Sequence, residues 1–428
     1  MAQAMADESA AASQRDDVMR AADGTPLKES LRKSMKRAKI KALLLVAPLG
    51  LFILFSFALP IADMVKRSFY SPEIQETLPK TASALEQWDG EGIPGEEVFA
   101  AFVEDMKKAQ ADRNVGQVSA RVNYVMPGAR SLFSKTARNI EEISGAPFKP
   151  KVVAIDSDWG DQEVWRILKR EADPITVSYY LQAVDMRYNA DGEIVAQPGY
   201  MQIYRTLFWR TFWMSALITV LTILLGFPVS FLLANLPMRT SNLLMIMVLL
   251  PFWTSLLVRT SSWIVILQSE GVLNDVLVAL GVFADDNRPQ MIYNKTGTIV
   301  GMTHILLPFM ILPLYSVMKG IPPSYLRAAR SLGANPIVAF IRVYVPQTVP
   351  GIGAGSILVF ILSIGYYITP ALIGGSSGQL ISNFIAYHMQ ESLNWHLAAA
   401  LGAILLFIVL GLYYVYNKLV GVDAMKFG

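Results

Sequence analysis

Six runs of apolar side chains, each close to the length needed to cross a bilayer, decide what this chain can fold into. They cover about Ala42–Ala62, Thr211–Leu236, Asn242–Leu267, Thr298–Met318, Val349–Ile373 and Leu397–Tyr416. A spanning helix needs about 20 mostly apolar residues for roughly 30 Å of hydrocarbon, and inside that layer every backbone polar group must be paired within the protein. The runs therefore predict six transmembrane helices in an α-helical polytopic membrane protein. Composition agrees, since 53% of the residues are hydrophobic and only 17% charged, a balance that excludes an ordinary soluble enzyme. Cysteine is absent, so no part outside the membrane depends on disulfides.

Charge orients the spans. Lys and Arg are enriched in cytoplasmic loops, and 28-KESLRKSMKRAKIK-41 sets seven basic residues against one acid just before the first run. Residues 1–41 thus read as a basic cytoplasmic tail, with 1–27 polar and expected to be disordered; the basic run also suits contact with membrane lipid. That run lies far from the start, and no small-residue cleavage site precedes Asp63, so 42–62 reads as a retained span and not a signal peptide. Six spans return the C-terminus, with Lys418 and Lys426, to the same side, where Arg239, Arg327, Arg330 and Arg342 also fall. The net charge of +3 is uninformative as a sum, and no nucleic-acid partner is expected.

Residues 63–205, with 22 acidic and 17 basic side chains, are too many for a connection without structure. A folded domain on the outer side is expected there. Within it, 98-VFAAFVEDMKKAQ-110 and 160-GDQEVWRILKREAD-173 carry helical periodicity and 151-KVVAID-156 reads as a strand. The stretch 176-TVSYYLQAVDMRYNADGEIVAQ-197 reads as a hairpin turning at Asn189-Ala190-Asp191-Gly192. An α+β insert is the expectation, followed by a transmembrane core over 206–428. Two shorter outer segments follow, Gln268–Lys295 and Gly374–Trp395; the second holds 381-ISNFIAYHMQESLNW-395, a short helix at the membrane's outer edge.

The segment 325-YLRAARSLGANPIVAFIRVYVPQTVPGI-352 is charged and Ala-rich between two apolar runs. Pro322, Pro323 and Ser324 suit a helix start, Gly333 a C-terminal cap, and Asn335-Pro336 a second start. Periodicity alone also fits an ordinary cytoplasmic loop. The order of residue types within 320–346 says more: Ala328-Ala329, a three-residue gap, Gly333-Ala334, then Phe340, Val343 and Pro346 resemble the "EAA" coupling motif of ABC importer permeases. The runs 250-LPFWTSLLVRTSSWIVIL-267, 307-LPFMILPLYSVMKGI-321, 361-ILSIGYYITPALIGG-375 and 393-LNWHLAAALG-402 resemble the spermidine/putrescine branch of that family.

The resemblance covers about two thirds of the chain and implies the six-helix fold of type I ABC importer permeases in a bacterial inner membrane. It implies three kinds of partner beside membrane lipid: a second permease subunit, two cytoplasmic ATPase subunits that bind ATP-Mg, and a periplasmic solute-binding protein. No cofactor is implied for this chain. ATPase coupling would fall to Arg327, Ala328, Ala329, Gly333, Ala334, Phe340 and Pro346. Arg327 departs from the family pattern, which begins with Glu. The inserted domain, outside the family's usual core, would either hold the binding protein during delivery or brace the partner permease.

For an amine substrate the pathway candidates are Trp253, Thr254, Trp263, Tyr366, Tyr367, Tyr387 and Glu391, because aromatic faces attract ammonium groups and a carboxylate neutralises them; an interfacial aromatic belt explains the aromatic ones equally well. Arg259 interrupts an uncharged run and reads as a pathway residue or as a side chain reaching the outer end of its span or pairing with Glu270. Gly351 and Gly355, in 351-GIGAGS-356, have the small-xxx-small spacing of close helix packing.

Enzyme chemistry finds no support. The run 374-GGSSG-378 matches a nucleophile elbow only formally; His304, His388 and His396 show no metal-ligand spacing, and no G-x-x-x-x-G-K-[ST] loop is present. A transporter or channel driven by an ion gradient, with a regulatory cytoplasmic loop, is the competing class; it lacks intramembrane carboxylates for coupling.

Overall fold

The computed structural model describes residues 27–189 and 191–420. Residues 1–26, Ala190 of the expected turn, and Lys426 lie outside the described residues. The chain divides into two units, Met1–Met64 and Val65–Gly428.

The first unit holds helix α1 (Leu27–Ile53) and a π-helical turn (Leu54–Ala58). Helix α2 (Leu59–Arg67) follows directly, and the helical run Ser34–Arg67 carries the first apolar segment.

In the second unit, the inserted domain is built of α3 (Glu73–Thr77), α4 (Pro79–Gln87), α5 (Glu96–Ala111), α6 (Val115–Asn123), α7 (Ala129–Asn139), α8 (Lys149–Ile155), α9 (Gln162–Glu171) and α10 (Ser178–Ala183). Its core is aromatic. Phe99, Phe102, Phe133, Trp159 and Trp165 are fully buried, with Phe102 and Trp159 ring centres 4.5 Å apart. Both buried indoles keep their N–H paired, Trp159 Nε1 donating to Thr136 Oγ1 at 2.8 Å and Trp165 Nε1 to the Trp159 carbonyl at 2.9 Å, as a low-dielectric core requires.

The expected strand at 151–156 is instead the helix α8. A short apolar run does not distinguish strand from helix by pattern alone; Pro150 in the first turn sets a helical φ, and Val152 turns into the core. The hairpin expected over 176–197 is present only in its second part, since Ser178–Ala183 is the helix α10. Strands β1 (Met186–Tyr188) and β2 (Ile194–Ala196) pair antiparallel with Arg187 opposite Val195. These are the named strands among the described residues, so the insert is a helical domain with one hairpin rather than a balanced α+β fold.

Helix α11 (Tyr204–Asn235), α15 (Lys295–Lys319) and α18 (Val345–Gly365) form the centre of the membrane core. Glycine permits their close approach: a Cβ added at Gly355 would lie 2.6 Å from the Met310 sulfur, and one at Gly351 3.1 Å from Val317 Cβ. Close packing at this Gly-xxx-Gly pair is as the sequence predicts, with Met302, Leu306, Met310 and Leu314 buried around it.

Among the described residues six helical runs are long and apolar enough to span: Ser34–Arg67, Gly199–Asn235, Leu256–Ala279, Lys295–Lys319, Pro336–Gly365 and Trp395–Lys418. Two differ from expectation. The run Asn242–Leu267 is not one helix but α12 (Met238–Trp253) and α13 (Leu256–Leu267), followed by α14 (Val272–Ala279). Pro251 cannot donate in the α12 ladder, and Thr254 and Ser255 are extended, with Thr254 Oγ1 donating to the Pro251 carbonyl at 3.0 Å.

The run to Ile373 likewise ends early, at Gly365. Tyr366 is extended, and α19 (Ile368–Ile373), α20 (Gly375–Gly378), α21 (Ile381–Gln390) and α22 (Trp395–Val420) follow. Backbone carbonyls freed by this break must find other donors. Ser382 Oγ donates to the Tyr366 carbonyl at 2.7 Å and Asn383 Nδ2 to the Tyr367 carbonyl at 2.8 Å.

Candidate functional site

Between α15 and α18 the chain forms α16 (Ser324–Ser331) and α17 (Pro336–Ala339). Gly333 has φ +91, a conformation that costs glycine least, and its N–H donates to the Arg330 carbonyl while Ala334 N–H donates to Ala329. Asn335 Oδ1 accepts from Val338 N–H at 2.8 Å and starts the second helix. A π turn, Phe340–Tyr344, carries it into α18. Phe340 stacks on Tyr344 at 5.4 Å, and Phe231 of α11 meets each of them edge-on at 5.3 Å.

Those rings seat the segment against the core. Arg327, Ala328, Gly333 and Pro346 are exposed, and Ala329 and Ala334 partly so. The surface is apolar as well as basic: Leu332 is 90% exposed and Ile337 71%.

The pathway candidates separate into groups. Tyr367, Tyr387 and Glu391 come together around an open cavity of about 440 Å³, with Gln379, Asn383 and Gln390. Trp253 and Thr254 lie at the α12–α13 break, Trp253 largely exposed. Trp263 donates through Nε1 to His304 Nδ1 at 3.2 Å, a helix-to-helix contact, and Tyr366 packs in the α11–α15–α18 core. The pairing of Arg259 with Glu270 does not occur among the described residues; Arg259 Nε is enclosed without a hydrogen-bond partner there.

Other polar joints were not legible in sequence. Asp185, buried after α10, accepts from the N–H groups of Ile203, Tyr204 and Arg205 at 3.0, 3.0 and 2.8 Å and so caps α11. Tyr204 hydroxyl meets His388 Nε2 at 2.8 Å, and His388 Nδ1 meets Ser392 Oγ at 2.7 Å. Burial pushes His388 down to about 4, keeping the ring neutral. Arg210 donates to the carbonyls of Ser376 and Gln379, holding the glycine-rich turn.

The most informative joint is at His396. Its Nε2 faces Glu73 Oε1 at 2.5 Å and its Nδ1 the Arg67 carbonyl at 2.7 Å, while Tyr179 stacks on the ring at 5.1 Å. Tyr179 also carries the Arg121 guanidinium 4.8 Å from its ring centre, itself ion-paired to buried Glu171. Each of these pairs joins residues far apart in the chain, so periodicity gives no signal for them.

Six apolar runs, a closely packed helical centre and an exposed helix pair define a polytopic membrane protein. The family model described as "Binding-protein-dependent transport system inner membrane component" matches residues 226–418. The spermidine/putrescine transport system permease protein PotB of Haemophilus influenzae is 35% identical over 220 residues, which cover 51% of this chain and 76% of that protein. PotB of Escherichia coli is 37% identical over 199 residues, covering 46% and 71%. A solved bacterial alginate ABC transporter, in complex with alginate pentasaccharide-bound periplasmic protein, has 17% identity over 53% of this chain and 80% of that one, with a TM-score of 0.42.

The chain belongs to the binding-protein-dependent permease family: it is a multi-pass inner-membrane permease subunit of an ABC importer. The inserted domain lies outside the family-matched residues.

Proposed function

We propose that this permease forms half of a pathway for a polyamine-like small solute, such as spermidine or putrescine. A second permease subunit completes the pathway, two cytoplasmic ATPase subunits holding ATP-Mg drive it, and a periplasmic binding protein delivers the solute. Both termini then lie in the cytoplasm and the inserted domain in the periplasm. The identity to PotB supports the substrate class. The observation that carries the coupling is the exposed apolar surface of Leu332 and Ile337 on a helix pair whose second helix runs unbroken into α18.

Such a surface suits a helix seated in a groove of the ATPase. Closure of the ATPase dimer moves that groove, and the Phe340–Tyr344–Phe231 contacts pass the motion to α18 and α11 as rigid bodies. The switch is driven by the difference in contacts between the two states. Arg327 stands on the exposed side of α16, where a basic residue meets a groove of different charge from the one its relatives' Glu meets.

On the periplasmic side the insert, tied to α22 through Glu73 and His396, holds the binding protein during delivery. Deleting residues 75–195 tests that role; unchanged stimulation of ATP hydrolysis by the binding protein would remove it. The main test is capture of the ATPase by wild type, Gly333→Asp and Leu332→Asp, with uptake of labelled putrescine. Failure of wild type to recruit an ATPase overturns the coupling reading, and failure to import any amine overturns the substrate class.

A further inference from the structure

The cavity beside the α18–α19 break has a composition that a packing defect would not need. Asn383 is spent on structure: its Nδ2 donates to the Tyr367 carbonyl and its Oδ1 accepts from Leu380 N–H at 2.9 Å, which fixes α21 against the break. What remains facing the space is two phenol rings, two unengaged amides and one charge. Tyr367 is 40% exposed and Tyr387 45%. Glu391 is the charged residue among those lining the cavity, and its carboxylate makes no hydrogen bond or ion pair among the described residues.

No Lys or Arg is among the described lining residues, and Arg210 directs its guanidinium to the carbonyls of Ser376 and Gln379. The volume, about 440 Å³, falls within the roughly 300–1,000 Å³ of small-molecule sites. The cavity lies at the end of the core that meets the inserted domain, because neighbouring His388 is bonded to Tyr204 at the insert's exit.

We propose that this cavity is a receiving site for an organic ammonium ion, held by the Glu391 carboxylate and the faces of Tyr367 and Tyr387, with Gln379 accepting from its N–H groups and Gln390 at its edge. A carboxylate and aromatic faces attract an alkylammonium, and the carboxylate's charge disfavours an anion. The inference rests on the amine substrate proposed above and adds the place where the solute is first held. It makes Glu391 and Tyr387 specificity-determining residues.

The absence of cysteine from this chain permits a direct test in a permease–ATPase complex whose other subunits are made cysteine-free. Gln390→Cys is labelled with methanethiosulfonates bearing either a trimethylammonium or a sulfonate. Relative to each reagent's rate with a free thiol, the cationic reagent is expected to react about tenfold faster, to lose most of that preference in Gln390→Cys/Glu391→Gln, and to be slowed by putrescine or spermidine. Asp286→Asn, on the exposed loop after α14, is the charge control and keeps the preference.

Equal rates for the two reagents, or a preference untouched by Glu391→Gln, overturns the proposal. So does failure of both reagents to react in the complex, which would make this face a subunit contact. Uptake of labelled putrescine by the wild-type importer is measured alongside. Uptake with an indifferent cavity defeats this site alone; a cation-selective cavity protected by neither amine, in an importer without amine uptake, defeats the substrate reading instead.

Discussion

The imidazole of His396, in the first turn of α22, lies 2.5 Å from the carboxylate of Glu73 in α3, joining residues 323 apart in the chain. The second ring nitrogen faces the Arg67 carbonyl. A carbonyl and a carboxylate can only accept, so both ring nitrogens of His396 face acceptors. Through this pair and the Tyr179 stack, the inserted domain is fixed to the last transmembrane helix and not merely tethered by its two ends.

For Glu73, burial alone would raise the carboxyl, but hydrogen bonds from His396 and Ser71 outweigh it and hold the group at about 2, below the ordinary 4.5. A carboxylate depressed in the folded state adds stability above its ordinary value and loses it as pH falls through the folded one. The contribution is therefore complete above pH 4.5 and fades toward pH 2. Thermal unfolding against pH in wild type and Glu73→Gln measures it: the two curves are expected to converge at the acid end. A constant difference would show that the carboxylate's charge is not involved.

A double-mutant cycle of Glu73→Gln and His396→Ala is expected to give a coupling of about 1–3 kcal/mol, the range for contacting residues. Protease resistance of the insert is the second readout, falling in either single variant. Additive effects would mean that the two residues stabilise the protein separately.

Asp185 accepts three backbone N–H groups at the start of α11. Asp185→Ala leaves those donors unpaired and is expected to cost about 1–2 kcal/mol, as for a lost N-cap. Hydrogen exchange at residues 203–205 should quicken by a corresponding factor. Exchange unchanged there would transfer the capping role to solvent.

Gly355 and Met310 meet so closely that an added Cβ would lie 2.6 Å from sulfur, whereas a Cβ at Gly411 meets nothing within 4 Å. Gly355→Ala is expected to destabilise by about 1–3 kcal/mol through overpacking, and Gly411→Ala to be neutral or slightly stabilising. Thermal stability of the detergent-solubilised protein compares them. Equal tolerance would show that α15 and α18 can separate without loss.

Leu332 is 90% exposed, so Leu332→Asp removes no packing within this chain and should leave thermal stability within about 0.5 kcal/mol of wild type. Under the coupling role it nonetheless abolishes capture of the ATPase. Retained capture would move the docking contact elsewhere on the helix pair.

The parts of the fold that were legible in sequence are those set by neighbouring residues. The helix–turn–helix at 324–339 follows from Gly333, Asn335 and Pro336, because cap and turn chemistry is local. The hairpin follows from Asn189 and Gly192 for the same reason. The strand expected at 151–156 failed because four consecutive apolar or small residues carry no period, and Pro150 was the discriminating signal.

The third run shows the same limit. Apolarity from Asn242 to Leu267 is continuous, while the break after Trp253 is decided by backbone geometry around Pro251 and Thr254. Of the pathway candidates, aromatic and acidic character selected Tyr367, Tyr387 and Glu391, which share a cavity. The same criterion also selected Trp263, which packs against His304 instead. Side-chain type cannot distinguish a ring that faces a cavity from one that faces a neighbouring helix.

The sequence by itself determined the number of apolar runs and the helix pair between two of them, because transfer into hydrocarbon and helix punctuation are summed over adjacent residues. Tertiary structure alone decided where spans break, which aromatic residues surround the cavity, and how the insert is fixed to the core. Those outcomes rest on Ser382 and Asn383 answering freed carbonyls, and on His396 meeting Glu73. Such partners are brought together only by the folded chain, because a desolvated polar group takes whichever partner the packing places beside it.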